Sequence, residues 1–397
     1  MKTFEILGHE RRSSDSKSWI KNRSTMSYQQ STVSFLEQTN VLGDLQPVYE
    51  KVAAGKRLDR EDGVKLYNTN NLLALGQLAN MVRERINGAD TYFVKNYVLN
   101  YTNICELDCK FCSFYRKEGQ DGAYLFSLQD IFRRIEEEKE NITEMHIVGG
   151  LHNGLPYDYY IEMLRGIKKI NPKIHIKAFT AVEIDFFARL FGKTVEKVLI
   201  EFKEAGLDAM PGGGAEIFSE RVRDKMFADK IGADEWISVI KTAHRLGIPS
   251  NATMLYGHME KVEERVDHLI RLRDVQDETK GFFAFIPLAY HPHVEDSTQW
   301  ATGIDNLKSI AVSRLMLDNF PHIKAYWISM GPKVAQISLG FGADDLDGTV
   351  RDERVFHMAG ASTENTLTKR QLIKLIKDAG RVPIERDALY KVIESFA

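Results

Sequence analysis

Tyr97-Val-Leu-Asn-Tyr-Thr-Asn-Ile-Cys105-Glu-Leu-Asp-Cys109-Lys-Phe-Cys112-Ser-Phe-Tyr-Arg116 is the stretch that decides how the rest of the chain is read. An apolar lead-in runs into three cysteines at CxxxCxxC spacing, and Cys105, Cys109 and Cys112 are the only cysteines in the protein. A cubane iron–sulfur cluster with a complete protein shell needs four thiolates. Three leave one iron without a cysteine, and an open position on a metal is where a small molecule binds and reacts. Competing readings of the same residues are less well served. A zinc site prefers four N/S ligands, and the nearest histidines, His146 and His152, lie far along the chain. An odd count in a chain of this size argues against a disulfide framework, and three buried structural thiols have no reason to crowd between positions 105 and 112. Phe111, just before the last cysteine, adds to the cluster reading.

At 397 residues the chain is longer than a typical domain, yet α/β barrels with insertions reach this length as one unit. A hydrophobic fraction of 43% with 27% charged residues is that of an ordinary soluble globular protein. Its net charge of −3 gives no electrostatic case for nucleic acid or an anionic membrane as partner. The longest apolar run, Gly281 to Tyr290, falls short of the ~20 residues that span a bilayer. No secretory apolar core follows the N-terminus, so a reducing cytoplasm is the expected location. Residues 1–30, with Arg11-Arg-Ser-Ser-Asp-Ser-Lys17, are polar and without period. They are expected to form a disordered tail, with Met26 a candidate natural start.

From 31 to 90 the pattern is helical, and these helices are expected to cap the remainder of the fold. Beyond residue 90, short apolar segments alternate with amphipathic ones, the pattern of repeated βα units and a parallel sheet. Strands are expected at Tyr97–Asn103, Glu144–Val148, Ile174–Phe179, Leu207–Met210, Ser250–Tyr256, Phe282–Ile286, Ile323–Ile328 and Ser338–Phe341. Between them fall helices Ser127–Glu140, Tyr157–Ile170, Thr194–Ala205, Ala233–Leu246, Lys261–Gln276, Asp305–Asn319 and a short one from Pro332. The fold class is α/β, a (β/α)8 TIM-type barrel over 91–350, with a six-strand partial barrel as competitor. Residues 351–397, including Thr368–Asp378 and Arg386–Ser395, are expected to be helices packed outside it.

In such a barrel the active site is built by the loops after the strand C-termini. The cysteines follow the first strand, Gly149-Gly150-Leu151-His152 the second, Thr180-Ala-Val-Glu183 the third and Pro211-Gly-Gly-Gly-Ala-Glu216 the fourth. Gly257-His258 follows the fifth, Pro287 to His293 the sixth, and Gly342 to Thr349, with Asp344, Asp345 and Asp347, the last. The Gly212–Gly214 run lacks the Gly-Lys-Ser/Thr of a phosphate loop and reads as a flexible turn. Alternation puts Lys177 and Phe179 on one side of their strand. An inward Lys177 requires an anionic ligand or a carboxylate partner such as Glu183, whereas an outward one is simply solvated. His258, His291 and His293 are candidates to orient a carboxylate or move protons, or are structural. The acidic loop binds hydroxyls or is a solvated turn.

CxxxCxxC with an aromatic before the last cysteine resembles the signature of the radical S-adenosylmethionine (SAM) superfamily. That resemblance implies a [4Fe–4S] cluster on Cys105, Cys109 and Cys112 beside Phe111. SAM chelates the fourth iron, and one electron cleaves it to methionine and a 5′-deoxyadenosyl radical. It further implies that Gly149 and Gly150 receive the SAM amino group and Glu216 its ribose, with Gly257 also at the cofactor. Arg223 or Lys230 would pair with the SAM carboxylate. Arg223 is favoured because a guanidinium matches a carboxylate bidentately, its alternative being an exposed helical arginine.

Six stretches carry a narrower likeness: 147–152, 178–184, 211–217, 250–258, 285–292 and 342–349. They resemble the aminodeoxyfutalosine synthases of the futalosine route to menaquinone, from about residue 50 to the C-terminus, with Val294 to Trp300 and the N-terminal extension outside the match. The likeness implies addition of the adenosyl radical to 3-[(1-carboxyvinyl)oxy]benzoate, rearrangement, and loss of a carboxylate to give 6-amino-6-deoxyfutalosine. Such a reaction needs two anion sites and a dry pocket. Lys177, Thr180, Glu183, His258, Tyr290, His291 and Asp347 are the expected substrate contacts, with aromatics such as Phe285 and Tyr290 for the ring. No general acid is assigned, and the reductant implied is a flavodoxin or ferredoxin. Alternatives within the superfamily are a dehypoxanthine futalosine cyclase, against which the 342–349 loop speaks, or a deazaflavin-forming synthase. A non-catalytic iron–sulfur or zinc protein is the alternative outside it.

Overall fold

The computed structural model describes residues 41–292 and 300–397. The expected tail over 1–30, His293 and the stretch from Val294 as far as residue 299 lie outside the described residues. Among the described residues ten strands are present: β1 (Asp90–Val94), β2 (Asn96–Leu99), β3 (Glu144–Ile147), β4 (His175–Ala178), β5 (Ser250–Tyr256), β6 (Phe282–Ala289), β7 (His322–Ile323), β8 (Asp345–Gly348), β9 (Val382–Arg386) and β10 (Val392–Ser395).

A ring of parallel pairings closes through them. β2 pairs with β3, β3 with β4, β5 with β6, and β6 with β7. Residues 209–210 bridge β4 to β5 through Lys177 with Ala209 and Met210 with Ser250. Lys324 with Asp345 joins β7 to β8, and Tyr97 with Arg351 returns the ring to β2. β1 and β2, separated by Lys95, form one bent strand whose first half lies along β8 and whose second half lies along β3. The eight staves make the (β/α)8 barrel.

Helices cover the ring because each βα turn supplies its own start signal. Ser127 caps Leu128–Glu138 by accepting from Asp130 N, and Thr194 caps Val195–Ala205, which left-handed Gly206 ends. Strands in a closed parallel sheet are buried on both faces, and all of β5 is buried. The outward residues meet the apolar helix layer. The inside of the barrel is polar and charged, with Lys177 bonded to Glu144 at 2.6 Å, Lys324 to Asp347 at 2.8 Å and Arg386 to Asp345 at 2.8 Å.

That polar interior explains the largest correction. The eighth strand is Asp345–Gly348, not Ser338–Phe341, which forms the end of helix Pro332–Ser338 and a turn. Asp345 and Asp347 face the interior cations, so their segment reads as a solvated loop. Thr180-Ala-Val-Glu183, expected as a loop, opens helix Ala181–Leu190 through a reciprocal Thr180/Glu183 capping box. Arg386–Ser395 is not helical, since β9 adds parallel to β1 and β10 antiparallel to β9. The N-terminal helices Arg60–Asn68 and Leu72–Asn87 pack on the helices after β5 and β6, Val262–Thr279 and Gly303–Met316.

Candidate active site

The three thiols line one cavity of about 200 Å³ with Phe111, Gly149, Gly150, Thr180, Glu183, Glu216 and Lys230. The cysteine loop is fastened by its backbone: Cys105 N donates to Arg116 O at 3.0 Å and Glu106 N to Leu151 O at 2.9 Å. Lys117 gathers it further, its Nζ donating to the carbonyls of Cys105, Glu106 and Leu107 at 3.2, 2.6 and 3.0 Å. Gly150 N bonds Thr102 O at 2.9 Å, and a Cβ on Gly150 would sit 2.2 Å from Ile104 O. One on Gly149 would sit 2.5 Å from the Tyr101 ring. Only glycine lets these two strand ends close on each other.

Burial pushes the Cys109 thiol up to about 11 and raises Cys105 as well. Thiols in such a pocket ionise when a metal supplies the positive charge. Among the described residues no three His, Cys, Asp or Glu side chains form a set that could hold a single metal ion. A cluster, which offers each thiolate its own iron, fits three thiols along one cavity wall better than a single ion with shared ligands.

In the same cavity, Glu216 takes a left-handed backbone, φ +46°, which a non-glycine residue holds only when its surroundings insist. Its backbone oxygen accepts from Leu255 N at 2.7 Å and its carboxylate is bonded by Lys230. The Lys230 ammonium also lies 4.9 Å from the Phe111 ring centre. Arg223 points elsewhere: its Nη2 donates to Ala228 O and Lys230 O at 2.9 and 2.8 Å, bracing the loop that carries Lys230. The cation in this cavity is therefore Lys230. Glu183 accepts from Thr180 N and Oγ1, Gly149 N and Tyr101 Oη. Burial nevertheless pushes its carboxyl up to about 7.

A second cavity of about 190 Å³ fills the barrel mouth and shares Val148, Thr180 and Val355 with the first. Lys177 and Asp347 line it, with His146, Asn251, Thr253 and Tyr326. The partner of Lys177 is Glu144, not Glu183. Burial works against the Glu144 carboxylate, but Lys177, Lys324 and Arg386 outweigh it and hold its carboxyl at about 2. Asp347, at φ +65°, accepts from Lys324 and from Asn96 Nδ2 at 3.3 Å. Asp344 lines neither cavity and is bonded to Arg314 and to His322 at 2.5 Å each.

Lys177 and Phe179 do not share a side. Phe179 flips to φ +60° and packs outward on Phe187 and Phe202, at 5.2 and 5.1 Å. Phe285 packs outward on Phe320, and Ile286 and Leu288 are the β6 residues that reach the cavity. His258 lines neither cavity: Nε2 lies 3.1 Å from Leu255 O and Nδ1 3.1 Å from the Glu260 carboxylate. Gly257 N donates to the same carboxylate, and Tyr290 packs edge-on to His258. His291 bonds Ser329 O at 2.7 Å and stands behind Phe356, which lines the cavity. Sequence reasoning missed His146, Asn251, Thr253, Tyr326 and Phe356. The available signal was alternation: in β5, Asn251 and Thr253 are polar while Ala252 and Met254 are apolar.

A barrel carrying three thiols, a glycine pair and a carboxylate–lysine pair around one cavity defines a radical SAM enzyme, and residues 99–272 match the radical SAM superfamily model. Residues 279–396 match the CofH/MqnC C-terminal region. The chain belongs to the aminodeoxyfutalosine synthase family. It is 49% identical to the aminodeoxyfutalosine synthase of Thermus thermophilus, over 88% of this chain and 96% of that one. It is 43% identical to that of Streptomyces coelicolor, over 87% and 93%. The cyclic dehypoxanthine futalosine synthase of Halalkalibacterium halodurans is 38% identical, over 88% and 95%. Two solved structures share the fold. Methylornithine synthase (PylB) superposes with a TM-score of 0.67 at 16% identity, over 84% of this chain and 96% of that one. The hydrogenase maturase HydG superposes with 0.68 at 16% identity, over 91% and 80%.

Proposed function

We propose that the protein joins the adenosyl group of SAM to 3-[(1-carboxyvinyl)oxy]benzoate, with rearrangement and decarboxylation, to give 6-amino-6-deoxyfutalosine and methionine. The observation that carries this reading is that the two cavities adjoin, with Val148, Thr180 and Val355 lining both, an arrangement that supports a substrate in the barrel beside a cofactor at the thiols. Cys105, Cys109 and Cys112 would hold a [4Fe–4S] cluster, which would supply the electron that cleaves the sulfonium of SAM. The chain's own residues orient and desolvate. The backbone of Gly149 and Gly150 receives the SAM amino group, Lys230 its carboxylate and Glu216 its ribose. The apolar Val148, Ile286 and Leu288 with Phe356 keep water from the alkene. Radical addition asks for proximity and alignment more than for proton transfer, and no general acid is required of the wall. We place the enzyme in a reducing cytoplasm, with a flavodoxin or ferredoxin as reductant.

The test is anaerobic reconstitution with iron and sulfide, then incubation with dithionite, SAM and the enolpyruvyl benzoate, read by mass spectrometry. An adduct carrying the adenosyl group, lost in Cys109→Ala, is the expected result. The likeness to the cyclic dehypoxanthine futalosine synthase supports a second reading, a cyclase. That reading predicts turnover of dehypoxanthine futalosine with free 5′-deoxyadenosine and no adduct.

A further inference from the structure

Both cations that line the two cavities are engaged: Lys177 holds Glu144, and Lys230, which is assigned above to the SAM carboxylate, holds Glu216. A dianionic substrate therefore meets no uncommitted ammonium in the walls among the described residues. The neutral polar groups are mostly committed too. Thr253 Oγ1 donates to Gly212 O at 2.8 Å, Asn100 Nδ2 to Val148 O at 3.1 Å, and Thr180 Oγ1 to Glu183 at 2.9 Å. His146 and Tyr326 make no side-chain hydrogen bond either, but among the described lining residues Asn251 alone is buried with both polar atoms unpartnered. It lines the barrel cavity, is 1% exposed, and neither Oδ1 nor Nδ2 has a hydrogen-bond partner. Its backbone is pinned, with N donating to Met210 O at 3.1 Å and the residue opposite Ala284 of β6. A buried amide that gives up water on both atoms and receives nothing back costs stability, and where such a group lines a cavity a bound ligand is one thing that can complete it.

We propose that Asn251 is a specificity-determining contact for the ring carboxylate of the substrate. Nδ2 donates to that carboxylate, and Oδ1 accepts from a water bound to it. The inference rests on the function proposed above. The enol end of the substrate must lie at the junction of the cavities, beside SAM. Asn251 lines only the barrel cavity, so it meets the opposite, benzoate end. A neutral donor there recognises the anion without disturbing the Lys177–Glu144 and Lys324–Asp347 pairs.

The test compares the reconstituted full-length enzyme with Asn251→Leu and Asn251→Asp, each assayed on the substrate and on the analogue lacking the ring carboxylate. In the wild type, removing that carboxylate should raise KM at least about tenfold, the worth of one hydrogen bond to a charged group. Asn251→Leu should raise KM for the full substrate by about as much and should hardly distinguish the two compounds. Asn251→Asp, which sets an anion against an anion, should be worse on the full substrate than on the analogue. Thermal unfolding separates this from a structural role: Asn251→Leu removes two unsatisfied atoms and should keep or raise Tm. A leucine variant that discriminates as the wild type does, or one that loses Tm and weakens both compounds equally, overturns the assignment and leaves the proposed reaction standing. A wild-type enzyme that forms no adduct from the substrate overturns the reaction and this assignment together.

Discussion

Replacing Lys177 by methionine is the sharpest probe of the barrel interior. The lysine and glutamate side chains are 2% and 1% exposed, their bond is 2.6 Å long, and Glu144 Oε2 has no hydrogen-bond partner. Lys177→Met therefore strands a buried carboxylate, which costs about 3–5 kcal/mol, while removing both charges together is close to neutral. Unfolding entropy of roughly 2 cal/mol/K per residue amounts to about 0.7 kcal/mol/K for the described chain, so the single variant should lose about 4–7 °C in Tm. Lys177→Met with Glu144→Met should recover most of that loss. The pH dependence carries a second signature. In the wild type the Glu144 carboxyl is depressed from 4.5 to about 2, so its stabilisation is present above pH 4.5 and is lost as pH falls towards 2. In Lys177→Met the largest opposing charge is gone, so burial lifts the same carboxyl from about 2 towards its ordinary value while Lys324 and Arg386 still oppose it. The loss of stability on acidification is then smaller than in the wild type. Differential scanning calorimetry and urea titration of the apo protein between pH 2 and 8 read both effects. A single variant costing under about 1 kcal/mol, or a double variant costing as much as the single, refutes the reasoning.

Three further outcomes rest on the same geometry. Gly150→Ala must move the Ile104 carbonyl, 2.2 Å from the new Cβ, and so should lower iron and sulfide bound per chain and slow SAM cleavage at least about tenfold, measured by iron content and methionine release. Lys117→Met frees the carbonyls of Cys105, Glu106 and Leu107 on the cysteine loop and should lower cluster occupancy in chelator challenge with Tm changed by no more than about 2 °C. Between pH 4.5 and 2 the wild type should lose about 3 kcal/mol through Glu144 alone, and the double methionine variant should lack that component, as urea midpoints across the range will show.

How much of this was legible in the chain depended on which side of a strand faced a helix. The cysteine loop, the glycine pair and most outer helices were legible, because caps such as Ser127 and Thr194 and amphipathic periods announce themselves locally. The polar inner face was not. Asp345-Leu-Asp-Gly348 looks like a loop until Arg386 and Lys324, distant in sequence, are seen to neutralise it. Phe179 defeated alternation through a single left-handed residue, and Thr180-Ala-Val-Glu183 was a capping box read as a binding loop. The preference for Arg223 over Lys230 rested on guanidinium geometry, which could not foresee that Arg223 spends its donors on the backbone of residues 228 and 230. Asn251 had the period of an inward residue, but only the absence of any partner around it marks it for a ligand.

The most direct measurement of the central claim is a single-turnover balance of methionine released against adenosyl-bearing product formed by the reconstituted enzyme. The account requires one methionine per adduct, with no free 5′-deoxyadenosine while the enolpyruvyl benzoate is in excess. Methionine accompanied by an equal amount of free 5′-deoxyadenosine, and no adduct, would contradict it.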